Sequence, residues 1–446
     1  MQAPPPSLWR RLTQFGGMKP LRARDSQVSA AVRLAKVLLS EKGELSGARH
    51  ATALAAHYDL MKESQLVSFF SALVMDFDAP VAELSAAARA YLEDPNPATS
   101  SRLAKISEPP RQELIRRLNM APGGAARILH MREQVLNLLK AHPEFAPLAE
   151  DLRHLLASWF NRGFLQMRQI DWRTPAFVLE KLIKYEAVHQ IGDWDDLRRR
   201  VQGDRRCYGF FHPALPDEPL IFVEVALTRV MNDAIGPLLA QEMGQGADKP
   251  KAAIFYSISN CQSGLRGIQF GNMLIKQVVA DIKAEAPSVR TFATLSPIPG
   301  FRAWLDKAIA NGDVADAELA EKLATPDWKS DRDLCNALRG PMLTLCARYL
   351  MQLKPDGKVS GITDPVAKFH LSNGARIERV NWLADVSAKG MRESWGLMVN
   401  YRYVPNDIES NHAAFVERGQ IVHSRGIRNL VQGRPQSGGD KNRLST

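Results

Sequence analysis

The chain has 446 residues, 45% hydrophobic and 24% charged, a composition that fits a globular protein of about two domains and excludes a disordered or fibrous one. Its 58 basic residues against 48 acidic ones leave a net charge of +10, which suits a polyanionic partner, either nucleic acid or a phosphorylated small carrier. The basic residues are spread along the chain without a nucleic-acid motif, so the carrier is favoured, and no apolar run reaches the length of a membrane span.

Residues 1–24 hold Arg10, Arg11, Lys19, Arg22 and Arg24 and no acid. The stretch is Arg-rich and acid-poor like a mitochondrial presequence, but Pro4-Pro5-Pro6 would break an amphipathic helix at its start, which favours a disordered basic tail. From 25 to 160 the apolar period is helical throughout. Asp25 and Ser26 cap a helix with Val28, Val32, Ala35 and Leu39 on one face, and Ile128, Met131, Val135, Leu138 and Leu139 repeat the period. Leu148, Leu152, Leu155 and Trp159 do the same. Breaks fall at Pro95 and Pro97, Pro109-Pro110 and Pro122-Gly123-Gly124. This predicts a helical bundle domain serving packing or oligomerisation, with His57, His130 and His154 as structural residues.

The segment 161–205 is mixed and rich in charge, and the period then changes to that of strands. RRCYGFFHPALPDEPLIFVEVALT predicts two strands around a Pro-rich turn, in which His212 reads as structural. Residues 246–250 form a polar loop. A compact unit follows: the apolar strand AAIFYSIS, a loop with Gly264 and Gly267, a helix with Ile268, Ile275, Val278, Val279 and Ile282 on one stripe ending at Pro287, and a returning strand that breaks at Pro297 and Pro299. Two parallel strands joined by a crossover helix place their carboxyl ends at one edge of the sheet. The glycine loop leaves one such end and Ser296 the other. Glycines let backbone N–H groups approach an anion, and a helix N-terminus adds positive charge. The loop Gln262, Ser263, Gly264, Leu265, Arg266, Gly267, Ile268 is therefore the candidate phosphate-binding segment.

Phe301 to Arg339 reads as helical, and Met342, Cys346 and Tyr349 continue the period, which puts Cys346 on a packed face. VAKFHL and ARIERVNW flank Ser372-Asn373-Gly374 and predict a hairpin, with Val366, Lys368 and His370 on one face of its first strand. In VNYRYV, Asn400, Tyr401 and Tyr403 are candidate pocket residues. The tail 432–446 is polar and Gly-rich, consistent with disorder, and ends Arg-Leu-Ser-Thr, which gives no support for a peroxisomal address. Cys207, Cys261, Cys335 and Cys346 show neither C-x-x-C pairing nor zinc spacing, so no structural metal is expected, and Cys261 reads as a packed neutral thiol. So few cysteines fit a reducing compartment, and a cytoplasmic location is expected.

The glycine loop resembles the pyrophosphate loop of the GNAT acyl-CoA-binding fold, although its glycines stand three apart where Gly-x-Gly or Gly-x-Ala is usual. A denser resemblance, over most of 160–430, is to the malonyl-CoA decarboxylase family. It is carried by Arg205-Arg206-Cys207-Tyr208, the His212 turn, Pro219-Leu220 with Val225-Ala226-Leu227-Thr228, Leu295 to Phe301, and Phe369 to Ala375. The resemblance implies an α+β chain, an N-terminal all-helical bundle domain (25–160) followed by a GNAT-like mixed α/β catalytic domain (161–431). It also implies conversion of malonyl-CoA to acetyl-CoA and CO2 without metal or organic cofactor, and a homotetramer; the spread of basic charge and the lack of a membrane-length run give no expectation of a nucleic-acid or membrane partner.

In that family the serine of Leu-Ser-Pro-Ile-Pro-Gly-Phe and the histidine of Phe-His-Leu-x-Asn-Gly-Ala are catalytic, which carries over to Ser296 and His370. Loss of CO2 from a malonyl thioester leaves an enolate that must be stabilised and then protonated at carbon. Ser296 is expected to orient the malonyl group and His370 to supply the proton. Two rival readings are an acyl-CoA N-acyltransferase on the same fold and a basic non-catalytic binding protein.

Overall fold

The computed structural model describes residues 26–40, 44–240, 249–268, 273–313, 317–351 and 364–432. The basic tail, the Asp25 cap, part of the polar loop at 246–250 and the chain beyond Gln432 lie outside the described residues. The protein divides into two compact units, one running to Phe160 and including Gln262–Ile268, the other Asn161–Cys261 and the chain from Gln269.

Among the described residues the first unit holds eight α-helices: α1 (Ser26–Ser40), α2 (Glu44–Asp59), α3 (Glu63–Asp76), α4 (Val81–Glu93), α5 (Pro97–Ser107), α6 (Pro110–Leu118), α7 (Gly124–Leu138) and α8 (Ala146–Trp159). Their boundaries follow the proline punctuation. α5 starts at Pro97 behind Asn96, whose side chain accepts from Ala98 N and Thr99 N, and α6 starts at Pro110. The expected stripes face the core: Val28, Val32 and Ala35, then Ile128, Met131 and Val135, then Leu148, Leu152 and Leu155 are buried. No single described helix is long and apolar enough to cross a membrane.

The second unit is built on β1 (Gln166–Ile170), β2 (Arg205–Phe211), β3 (Ile221–Thr228), β4 (Ala252–Asn260), β5 (Thr291–Thr294), β6 (Ser296–Pro297), β7 (Arg376–Asn381) and β8 (Met398–Tyr403). The sheet order is β1-β2-β3-β4-β5-β8-β6, with β7 also on β8. All pairs are antiparallel except β4 and β5, which run parallel around the crossover helix α12 (Met273–Glu285). The strand–loop–helix–strand unit expected from sequence is therefore present. Pairing of β4 with β5 runs from Ala252↔Thr291 to Phe255↔Thr294, and Leu295 N then donates to Phe255 O at 2.9 Å. Beyond it the chain pairs only with β8, which already borders β5 through Phe292↔Tyr403, now through Ser296↔Val399. The two parallel strands part there, and Ser296 is the first residue past the fork.

One expected element is different. Residues 366–371 are not the first strand of a hairpin but part of an eight-residue helix, α13 (Pro365–Ser372). Asp364 caps it, accepting from Val366 N at 3.0 Å and Ala367 N at 2.9 Å, and Pro365 occupies the first turn where its missing N–H costs nothing. Gly374, at φ +80°, serves the helix C-terminus rather than a hairpin turn, and a Cβ there would lie 2.1 Å from Ile408 O. ARIERVNW does form a strand, β7. Cys207, Cys261 and Cys346 are buried, and Cys335 is half-buried. Burial pushes the Cys261 thiol well above its ordinary range, with Glu186 adding repulsion, so it stays neutral.

The charges of 161–205 are partly internal. Arg200 is 1% exposed and donates from Nη1 to Glu224 Oε2 at 2.8 Å, from Nη2 to His189 O at 3.1 Å and from Nε to Asp196 Oδ1 at 3.0 Å. Removing one partner of a buried pair strands the other's charge. Arg200→Met is expected to lower stability by about 3–5 kcal/mol in denaturant titration, whereas Arg198→Met, at an exposed position, should change it by less than about 0.5 kcal/mol.

Candidate active site

Alternation along the strands gathers the site on one face of the second unit's sheet. Phe255 of β4, Thr294 of β5, and Tyr401 and Tyr403 of β8 share that face with Ser296. α13 brings His370 from its last turn. The Ser296 Oγ lies 3.1 Å from His370 Nε2, and His370 Nδ1 lies 2.8 Å from the Tyr403 hydroxyl. Tyr401 stacks on the imidazole, centroids 4.7 Å apart at 25°. Ser296 and His370 are 5% and 4% exposed, so the pair is shut off from bulk water.

The hydrogen bonds assign the tautomer. Ser296 has one proton, which it donates to Thr294 Oγ1 at 2.8 Å, while Thr294 Oγ1 also accepts from Tyr401 N at 3.1 Å. Nε2 must therefore carry the hydrogen it shares with Ser296, and Nδ1 accepts from the Tyr403 hydroxyl. Burial pushes the His370 pKa from 6.5 down to about 3, so the resting imidazole is neutral at pH 7.

Asp364 ties the two segments together. Besides capping α13, its Oδ2 accepts from Gly300 N at 3.4 Å and from the Tyr349 hydroxyl at 3.3 Å, linking the helix that bears His370 to the turn after Ser296. Neither Asp364 nor Thr294 was singled out from sequence. The Asp-Pro pair just ahead of VAKFHL is a helix-start signal that would have found the first, and the two-residue spacing to Ser296 on one strand face the second.

The remaining candidates go elsewhere. Asn400 lies on the opposite face of β8 from Tyr401 and Tyr403. Its Nδ2 donates to Thr294 O at 2.7 Å and Asn232 O at 3.1 Å, and its Oδ1 accepts from Asn381 Nδ2 at 2.8 Å. It splints β5 to β7 and β8 and does not touch the imidazole. His212 accepts from Ala214 N at 3.1 Å within its turn, as a structural residue does. The loop Gln262–Ile268 packs within the helical unit. Leu265 N, Arg266 N and Ile268 N donate to Gln262 O, Ser263 O and Leu265 O at 2.9–3.0 Å, so those amides close turns, while the amides of Ser263, Gly264 and Gly267 lie outside them. Gly264 is required by close approach: a Cβ there would stand 2.2 Å from Leu129 O of α7. Gly267, at φ +78°, is exposed, and a Cβ there would meet nothing within 4 Å.

A helical unit and a mixed sheet that buries a serine–histidine pair together define a two-part α+β enzyme. Residues 163–441 match the model of the malonyl-CoA decarboxylase C-terminal domain and residues 77–160 that of the N-terminal domain. Mitochondrial malonyl-CoA decarboxylase of Anser anser anser is 36% identical over 353 residues, 72% of this chain and 69% of that one. The Rattus norvegicus protein is 34% identical over 360 residues, 74% of this chain and 73% of that one. A crystal structure of malonyl-CoA decarboxylase from Rhodopseudomonas palustris superposes with a TM-score of 0.85 at 49% identity, covering 90% of this chain and 99% of that one. The chain belongs to the malonyl-CoA decarboxylase family, whose members are carboxy-lyases.

The neutral imidazole has a consequence for stability. The unfolded chain binds a proton at His370 more readily than the folded one, so the stability attached to this group is whole above pH 6.5 and is lost as pH falls toward 3. Between pH 7 and 4 the protein is expected to lose about 3 kcal/mol more than a His370→Asn variant in urea titrations. Equal losses would mean that the imidazole is not buried in its neutral form.

Proposed function

We propose that the protein decarboxylates malonyl-CoA to acetyl-CoA and CO2, with Ser296 orienting the malonyl group and His370 delivering the proton. The observation that carries this reading is the 3.1 Å contact between Ser296 Oγ and His370 Nε2 in a site closed to water. A malonyl carboxylate brought beside the imidazole raises its proton affinity, so the proton is taken up with the substrate rather than stored beforehand. The serine hydroxyl turns from Thr294 to the acyl group and sets the breaking C–C bond perpendicular to the thioester carbonyl. That bond's electron pair becomes the enolate as CO2 leaves, and the Nε2 proton then passes to the enolate carbon. Exclusion of water removes the hydration that favours the ionised carboxylate. The Tyr403 hydroxyl keeps the ring oriented by facing Nδ1 in either protonation state.

In the same reading, the amides of the 262–268 loop outside its turns bind the diphosphate of coenzyme A. A homotetramer in the cytoplasm belongs to it as well. Leu60, Val81 and Leu92 on the helical unit are each about three-quarters exposed, the kind of surface that self-association covers. A solution mass four times that of the chain tests the tetramer.

Incubation with malonyl-CoA, with and without an amine acceptor, should yield acetyl-CoA and CO2 in equal amounts and no free thiol. Free coenzyme A appearing only with the amine would identify an N-acyltransferase instead. His370→Asn is expected to lower kcat by ~10²- to 10⁴-fold with KM nearly unchanged, and Ser296→Ala should also slow turnover. Full turnover by His370→Asn would remove the imidazole from the mechanism.

A further inference from the structure

Arg132 lies on α7 within the helical unit and is 3% exposed. A guanidinium taken out of water needs acceptors for its N–H groups. Its two terminal nitrogens find them on the glycine loop, Nη1 donating to Gly264 O and Nη2 to Arg266 O at 2.8 Å, while the buried Nε has no hydrogen-bond partner among the described residues. The next residue, Glu133, accepts from the Ser263 hydroxyl, and Leu129 O stands directly behind Gly264. Positions 129, 132 and 133 are spaced three and four apart on one helix face, so a single face of α7 grips the loop at three points.

The grip has a direction. In a trans peptide the carbonyl and the following N–H point opposite ways, and no described peptide bond is cis. Fixing Arg266 O on Arg132 therefore aims the Gly267 N–H away from α7. That amide lies outside the loop's turns, on an exposed residue with open space about it. We infer that Arg132 is a positioning residue for the phosphate-bearing end of the thioester, holding the Arg266 carbonyl so that the Gly267 amide is presented as an anion donor. The inference rests on reading 262–268 as the coenzyme A loop. It makes an internal residue of the helical unit a determinant of substrate affinity.

The test compares malonyl-CoA with malonyl-pantetheine, which lacks the diphosphate and the nucleoside. Arg132→Met is expected to raise KM for malonyl-CoA about tenfold, the worth of one hydrogen bond to a charged group, with kcat within about twofold. KM for malonyl-pantetheine should not change. Arg132→Lys keeps the charge but replaces the rigid two-pronged fork with a single rotating ammonium; it should show a smaller rise with the same substrate dependence, and it carries the test if Arg132→Met does not fold. Gly267→Val, strained at positive φ, separates the two ideas. If it raises KM for malonyl-CoA and the Arg132 variants do not, the inference fails while the loop reading stands. If Gly267→Val also leaves KM unchanged, the loop reading falls, and the inference with it. A KM rise equal for both substrates would mark Arg132 as merely structural and overturn the proposal.

Discussion

The hydrogen bond from Leu295 N to Phe255 O is the last link between the two parallel strands, and the site depends on where it falls. Up to that bond β5 is a sheet strand flanked on both sides, with Phe292 and Ala293 committed to packing and Thr294 alone turned to the serine. One residue later the chain has left β4 while it keeps its pairing with β8, so a side chain can face inward with no strand on the β4 side to fill the space. Ser296 occupies that position. The tyrosines of β8 reach the same place because β8 continues alongside, and its two-residue repeat puts Tyr401 and Tyr403 on the serine's face and Asn400 on the other.

Placing an imidazole in that fork decides its chemistry. Among the described residues no carboxylate pairs with His370; its neighbours include a serine hydroxyl, a tyrosine hydroxyl and a stacked aromatic ring. Burial then acts unopposed and keeps the ring uncharged. In the mechanism we propose, a histidine charged in advance would invite a counter-ion into the acyl space, whereas one made neutral by its surroundings responds to the charge that the substrate brings.

Much of this was legible in the residues, and the failures have physical causes. Helix ends in the first unit followed the prolines because Pro95, Pro97, Pro109 and Pro110 act through the backbone alone, whatever packs around them. The β4–β5 unit was readable because apolar β-branched runs on either side of a glycine loop and an amphipathic helix leave few other topologies. VAKFHL was misread because alternation over six residues also fits a short helix, and Asn-Gly ends helices as readily as it turns hairpins. The cap that decides between them, Asp364, lies just outside the stretch that carries the pattern. Asn400 was read as a pocket residue from its neighbours' company, and only strand register reveals that it faces the other way. Gly264 and Gly267 look equivalent in sequence, yet one lets a helix carbonyl come close and the other holds a positive φ.

The buried cysteines give the molecule a built-in clock. Thiolate is the reactive form of the side chain, and Cys207, Cys261 and Cys346 are sealed in hydrophobic packing where it scarcely forms. A thiol reagent reaches them only when the surrounding structure opens, so their modification times the breathing of the sheet unit at two places, the cluster that Cys207 and Cys261 share and the helix that bears Cys346. Cys335, half-open to solvent, marks the zero of that clock.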